Sequence, residues 1–286
     1  MAKNYLDSIV GVFGHPVAEN PTVVMIEAGF KAAGLQNWRY LTLDVNADDL
    51  GRAMDAVRFL GFKGINLTIP HKVAVLKYLD EMSEAAEKIG AVNTVVNRDG
   101  RLFGENTDGK GFLTGIKEDA GIDPADKKVV VIGAGGAARA ICVELGLAGA
   151  SHITIVNRTL QKAEDLAERV SSKTKADAAA AELVSGFTIP DETDILVQAT
   201  SVGLYPDIEG KADINYNSLS DTMTVCDVIP NPPNTPFLRE AEGRGAKVLD
   251  GLSMLVYQGA IGFKLWTGID APKGAMKKSL KDEFGI

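Results

Sequence analysis

The residues of this chain best suited to chemistry are Gly133-Ala134-Gly135-Gly136-Ala137-Ala138, which follow the branched apolar run Val129–Ile132 and open a helix-forming run that reaches Ala148. A buried parallel strand, a glycine turn and a helix, with Gly133, Gly135 and Ala138 spaced as Gly-x-Gly-x-x-Ala, make a dinucleotide fingerprint. Gly133 permits the sharp turn, Gly135 leaves the backbone open to a pyrophosphate, and the small Ala138 lets helix and strand pack closely. Free N–H groups at the helix start, together with the helix dipole, favour phosphate there. Glycine turns also arise for packing alone, so the neighbouring residues decide how the motif is read. About 20 residues past the glycines, an NAD-specific sheet carries an acid for the ribose hydroxyls. Here that stretch is Asn157-Arg158-Thr159 followed by Lys162, with no acid before Glu164. Arg158 and Lys162 can bind a 2′-phosphate and Thr159 adds a hydroxyl donor, so the expected cofactor is NADP(H).

The elements that must hold these residues follow from apolar periodicity and from breakers. In front of the fingerprint, Ile9–Phe13, Trp38–Asp44 and Gly64–Pro70 read as strands, and Thr22–Ala33 and Asp48–Leu60 as helices. This βαβαβ run makes the front of the chain an α/β domain of its own. Helices from His71 to about Leu79 and from Ser83 follow, then Ala91–Asn97 and Leu102–Asn106 flank Asp99-Gly100 as a hairpin, and a helix runs from Gly111 to Ala120. Behind the fingerprint come strand His152–Val156, helix Leu160–Val170 and an alanine-rich stretch to Ala181 with no assigned element. Strands Ile195–Ala199, Thr224–Asp227 and Ala246–Leu249 and an amphipathic helix through Trp266 complete the reading. The loops Thr200–Gly203 and Ile229–Pro233 lie at carboxyl ends of parallel strands, where open α/β sheets hold ligands. Gly121–Lys128, polar and carrying Pro124, reads as the crossing between domains.

At 286 residues the chain exceeds one ordinary core and suits two domains. Its 45% apolar and 24% charged residues are those of a soluble globular protein. A net charge of −8 with scattered basic residues offers no field for nucleic acid or an anionic membrane, and no apolar run is long enough to span a bilayer. Cys142 and Cys226 read as small buried thiols, which fits a reducing, cytoplasmic compartment. Met1–Gly14 lacks the basic start and cleavage pattern of a signal peptide. His15, His71 and His152 are not spaced as metal ligands, so no metal is expected.

Six strings in order resemble the shikimate dehydrogenase family over nearly the whole chain. They are Asn66-Leu67-Thr68-Ile69-Pro70-His71-Lys72, Gly90-Ala91-Val92-Asn93-Thr94, Asn106-Thr107-Asp108-Gly109, the glycine turn Gly133–Ala137, Asn157-Arg158-Thr159, and Asp250–Gln258. The resemblance implies a two-domain α/β fold: a substrate-binding domain of residues 1–109 together with 250–286, into which the last helices return, and a Rossmann-type NADP-binding domain of residues 110–249. It implies an NADP-dependent oxidoreductase interconverting a ring hydroxyl and a ketone of shikimate, 3-dehydroshikimate or a related polyhydroxylated cyclic substrate. By position, Lys72 matches the family's catalytic lysine and Asp108 its partner, although read alone they are a surface charge and a helix cap. Asn66, Thr68, Asn93 and Gln258 match positions that hydrogen-bond substrate hydroxyls. Gly133, Ala134, Gly135, Gly136, Ala137, Thr200, Val228 and Gly251 match the cofactor side, with Val228 where methionine is usual.

The departure lies in the turn after the first strand, where the family has Ser-x-Ser-Pro, whose hydroxyls bind the ring acid. This chain has Gly14-His15-Pro16-Val17-Ala18-Glu19-Asn20-Pro21, without either serine, shorter, and with an added negative charge at Glu19. Pro230 stands where a substrate-contacting tyrosine is common. The expected substrate is a small cyclic polyol or hydroxy acid, and with Glu19 and Asn20 in the substrate site the preferred ligand should lack the carboxylate, or carry a hydroxyl or amine that Glu19 can bind. If Asn20 or a backbone N–H takes the carboxylate instead, the chain is an orthodox shikimate dehydrogenase of aromatic amino-acid biosynthesis. A non-catalytic NADP(H) or ring-acid sensor on the same fold is a second alternative, disfavoured by retention of both Lys72 and Asp108. No nucleic-acid or membrane partner is expected, and a homodimer stays open.

Overall fold

Branched apolar runs dictate the first half of the chain in this computed structural model, which describes residues 5–286. The first four residues of the stretch read for a signal peptide lie outside the described residues. Strand β1 (Ser8–Gly14) is joined by helix α1 (Thr22–Ala32) to β2 (Trp38–Asp44), and by way of α2 (Leu50–Phe59) the chain reaches β3 (Gly64–Leu67). Both β2 and β3 lie parallel to β1, in register Val10↔Tyr40 and Val12↔Asn66. The helix expected from His71 to Leu79 is shorter: α3 (His71–Ala74) passes into a 3₁₀ turn, Val75–Tyr78. The chain is drawn out of the helix because Asp80 N–H bonds to Leu102 O at 2.9 Å and Glu81–Met82 (β4) pairs with a later strand. Ser83 caps α4 (Glu84–Ile89), accepting from Ala86 N–H at 3.1 Å. Strands β5 (Thr94–Arg98) and β6 (Arg101–Glu105) form the expected hairpin. Its turn residues Asp99 and Gly100 both have positive φ, 52° and 91°, as a two-residue type I′ turn requires. The six-stranded mixed sheet has the order β2-β1-β3-β5-β6-β4, and one face packs Phe13, Leu50, Met54, Ile65, Leu67 and Val95 together.

Helix α5 (Thr107–Glu118) leads to a second, wholly parallel sheet. It contains β7 (Lys128–Ile132), α6 (Gly136–Leu147), β8 (His152–Asn157), α7 (Leu160–Lys173), β9 (Asp177–Glu182), β10 (Ile195–Gln198), β11 (Thr224–Asp227), α8 (Pro236–Glu242) and β12 (Lys247–Leu249). The order β12-β11-β10-β7-β8-β9 reverses direction at β7/β10, the switch point of a doubly wound fold. The alanine-rich stretch left unassigned by its sequence is the edge strand β9, paired with β8 in register Thr154↔Ala179. Alanine has no strand preference and no alternation shows in such a run, so only the pairing reveals it.

The chain ends in α9 (Gly251–Thr267) and α10 (Lys273–Phe284). It divides into two units: one runs to Thr107 and resumes with Gln258–Ile286, and the other is Asp108–Tyr257. Gly121–Lys128, read from sequence as the crossing, lies inside the second unit, running from beyond α5 to the first residue of β7. The returning segment is well anchored in the first unit, with Phe263 5.4 Å from the Phe30 ring and Trp266 Nε1–H donating to Val95 O at 3.0 Å. Among the described residues no helix is long and apolar enough to cross a membrane.

Candidate active site

In the first unit, the sheet's carboxyl end gathers polar side chains that a core would exclude. Asn66, on the last turn of pleat in β3, is only 7% exposed and must satisfy every polar atom internally. Its Oδ1 accepts from the Tyr40 hydroxyl at 2.8 Å, and its amide donates to Asn93 O at 3.1 Å and to Thr94 Oγ1 at 2.9 Å. Asn93 Nδ2 donates to Thr107 Oγ1 at 3.0 Å, while Asn93 Oδ1 accepts from Thr107 N–H at 2.7 Å. The Thr107 hydroxyl also lies 3.4 Å from Gln258 Oε1, so the returning α9 joins the same network. Three of the amides read from sequence, Asn66, Asn93 and Gln258, are thus brought together. Tyr40, Thr94 and Thr107, which the sequence reading gave no role, link them. Tyr40 is fully enclosed, and burial pushes its phenol well above the ordinary value, so the hydroxyl is held protonated as a donor.

Thr68 and Lys72 follow directly from β3. Gly14 ends β1 without a side chain because a Cβ there would stand 2.3 Å from Thr68 Cγ2. Thr68 N–H bonds to Phe13 O at 2.9 Å, and the turn closes through His71 N–H to Thr68 O at 2.8 Å. His71 is wholly buried and its Nε2 bonds Val45 O at 2.7 Å, so it packs the turn that presents the half-buried Lys72. Lys72 O in turn accepts from Val92 N–H at 2.8 Å. Glu19 is exposed in the turn after β1, and Asn20 is half-buried with its Oδ1 committed to Thr22 N–H at 3.0 Å. Asp108, 8% exposed in the first turn of α5, directly follows Thr107 in sequence but belongs to the second unit.

The second unit presents the fingerprint turn at the carboxyl end of β7. Gly133 has φ 114°, and a Cβ on it would lie 2.9 Å from Ala199 O, which rules out other residues on two grounds. Around Gly135 and Gly136 an added Cβ would meet nothing within 4 Å, and α6 begins there without a side-chain cap. An open backbone before an uncapped helix start, beside the half-buried Ala134 and Ala137, fits the pyrophosphate of a dinucleotide. At the end of β8, Asn157 Nδ2 donates to Thr159 O at 2.9 Å, turning the chain so that Arg158, Thr159 and Lys162 are all exposed. Thr159 precedes α7 without using its hydroxyl as a cap. Beyond the switch point, Thr200 lies against Gly133, with its Cγ2 3.0 Å from the position of a Cβ. Val228 lies against Gly251, whose backbone is so close that a Cβ would sit 2.4 Å from Val228 C. Pro230 is half-buried and supplies no hydroxyl. Among the described residues no three His, Cys, Asp or Glu side chains are grouped to hold a metal.

One buried carboxylate accompanies these loops. Asp227 ends β11 at 2% exposure, and burial raises it to about 6 against the lowering effect of its hydrogen bonds to Ile229, Thr235 and Val228. With a folded value above the unfolded one, the folded chain keeps a proton between about pH 4 and pH 6 that the unfolded chain has released. Stability from this group is therefore present at low pH and lost as pH rises through that window, by about 3 kcal/mol. Asp227→Asn cannot titrate there, so its unfolding free energy relative to wild type should gain about that amount between pH 4 and 7. A difference curve from urea unfolding that stays flat with pH contradicts this account.

A doubly wound sheet with an open fingerprint turn, joined to a second α/β unit bearing a polar cluster and a presented lysine, defines a two-unit dinucleotide-binding protein. The family model for the shikimate dehydrogenase substrate binding domain matches residues 12–95, that for shikimate / quinate 5-dehydrogenase residues 117–234, and that for the shikimate 5′-dehydrogenase C-terminal domain residues 251–281. The chain belongs to the shikimate dehydrogenase family. It is 42% identical over 276 residues to shikimate dehydrogenase (NADP(+)) of Desulforamulus reducens, covering 95% of this chain and 94% of the other. It is also similar to the ligand-free crystal structure of 5-ketofructose reductase of Gluconobacter sp. strain CHM43, at TM-score 0.93 and 47% identity, covering 98% of this chain and all of that one. A shikimate dehydrogenase solved in complex with NADP+ follows at TM-score 0.91 and 39% identity, covering 97% and 96%.

Proposed function

We propose that this chain is an NADP-dependent dehydrogenase acting on a CH–OH group, and that it interconverts a ketone and a hydroxyl of a polyhydroxylated substrate without a carboxylate. The observation that carries this is the turn Gly14–Pro21: no serine hydroxyl is present and Glu19 is exposed. An anionic ring acid would meet a negative charge and neither serine hydroxyl there, whereas a neutral hydroxyl can donate to Glu19. The similarity to a reductase named for 5-ketofructose, a sugar diketone, supports a neutral polyol on this fold. The orthodox shikimate dehydrogenase is the second reading, favoured by the other matching strings and by the curated relatives.

When bound, NADPH supplies the hydride. We assign its pyrophosphate to Gly133–Ala137 and its 2′-phosphate to Arg158, Thr159 and Lys162. Asn157, Thr200, Val228 and Gly251 line the rest of its site. In the substrate unit, Asn66, Thr68, Asn93 and Gln258 orient hydroxyls, and Glu19 and Asn20 receive the far end. As the carbonyl carbon gains hydride its oxygen takes up the π pair, and Lys72, acting as one unit with Asp108, completes the alcohol with a proton. Oxidising a panel of alcohols with NADP+, with and without a carboxylate, tests the assignment: neutral polyols should lead, and a lead for shikimate or quinate rejects it.

Cofactor choice gives a separate expectation. Arg158 is exposed directly after β8, where an NAD-specific sheet would carry an acid, so kcat/KM with NADP(H) should exceed that with NAD(H) by at least about tenfold. Arg158→Ala should shrink that ratio by a similar factor. Comparable constants with the two cofactors, or an unchanged ratio in the variant, would remove Arg158 from the phosphate site.

A further inference from the structure

We propose that Asp227 and Gln198 form a buried brace that positions the two loops receiving the nicotinamide half of the cofactor. This rests on the assignment of NADP(H) to the second unit. A dinucleotide laid across the switch point has its pyrophosphate at the start of α6 and its 2′-phosphate at the end of β8, which leaves the loops after β10 and β11 for the nicotinamide. Those loops are short of regular structure; Tyr205 N–H bonds Asn231 O at 3.3 Å between them, and the side-chain bonds that tie them to the ends of β10 and β11 converge on two residues. Gln198, with no exposed surface at the end of β10, accepts Thr200 N–H at its Oε1 at 2.5 Å and donates from Nε2 to Val202 O at 2.9 Å. The same Nε2 lies 3.4 Å from Asp227 Oδ1. Asp227 Oδ1 also accepts Ile229 N–H at 3.0 Å, and Oδ2 accepts the Thr235 hydroxyl at 2.7 Å. Finally, Val228 N–H bonds the Gln198 main-chain oxygen at 3.1 Å, so the 200–202 and 228–235 segments are tied to one another through this pair.

A buried carboxylate is a costly way to hold loops if packing alone is required, because apolar residues of similar shape avoid its desolvation. What a satisfied polar network adds is one defined arrangement of the atoms bonded to it. The brace sits only at the carboxyl end of the sheet; the interior of β10 and β11 is apolar apart from Thr224, with Ile195, Leu196, Val197, Val225 and Cys226 all buried. Gly251, pressed against Val228 and Ile229, transfers the same arrangement to the start of α9.

The test compares two ligands of the whole protein without substrate: NADPH, and 2′,5′-ADP, which has the 2′-phosphate and adenosine but no nicotinamide. For Gln198→Ala and Asp227→Ala, the Kd of NADPH should rise about tenfold while that of 2′,5′-ADP stays within about twofold. Asp227→Asn, which keeps an acceptor for Ile229 N–H, should lose less than Asp227→Ala. The double variant should lose little more than the larger single change, because the two residues act through each other. Should Asp227→Ala not fold, Gln198→Ala carries the comparison. Equal weakening of both ligands would make the pair a general structural support, and unchanged NADPH affinity would remove the brace from the cofactor site; either result overturns the proposal. Wild-type protein that binds neither ligand would instead overturn the NADP(H) assignment itself.

Discussion

Lys72→Ala is expected to lower kcat by about 10²- to 10⁴-fold while the Kd of NADPH stays within about twofold. The size follows from the chemistry: reduction of a ketone leaves charge on oxygen, and a positioned proton donor contributes on that scale. The selectivity follows from the fold, since Lys72 belongs to the first unit and the fingerprint turn to the second. Its turn is built for constancy, with His71 buried beneath it and the Lys72 carbonyl bonded to Val92 N–H. Asp108→Asn should have a comparable effect, and the double variant should lose far less than the product of the single losses. Multiplicative losses would assign the two residues independent roles, and near-normal turnover by Lys72→Ala would remove the lysine from the chemistry.

Shikimate is expected to be a poor substrate, and Glu19→Ser to improve its turnover at the expense of the natural ligand. Two hydrogen bonds to a charged group contribute roughly 1.5–3 kcal/mol each, so a turn lacking both serines weakens binding by about 10²- to 10⁴-fold. With Oδ1 bonded to Thr22 N–H, Asn20 keeps its Nδ2 hydrogens as donors, and they are the alternative partner for a ring acid in this turn. Glu19 remains as an exposed acceptor. Steady-state kinetics of wild type and variant on shikimate and on neutral polyols read both effects together. A wild-type shikimate KM in the micromolar range with a kcat of tens per second, roughly ordinary enzyme values, would show that the turn binds the ring acid by another route.

Much of the fold was legible because the chain states it locally. The runs at Ile9–Phe13 and Val129–Ile132 are branched and apolar, Asp99-Gly100 has the turn chemistry of its hairpin, and Gly133 sits where only glycine fits. What could not be read depended on partners distant in sequence. β9 is a strand only because β8 lies beside it, and the helix after His71 is cut short by pairing with residues beyond Leu102. The site divided in the same way. Its motif residues carry type and spacing, whereas Tyr40 looks like one more apolar position of β2 until its hydroxyl is found on Asn66. Thr107 lay inside a matching string, which was the available signal for its place between Asn93 and Gln258. Asp227 and Gln198 end two unremarkable apolar strands, and nothing in either strand announces that they meet.

The central claim, a family member whose substrate has no carboxylate, is tested most directly by one ratio. The kcat/KM for oxidation of the best neutral polyol by NADP+ should exceed that for shikimate by at least about tenfold, measured on the same enzyme at the same pH. The opposite order would contradict the account and make the chain an orthodox shikimate dehydrogenase.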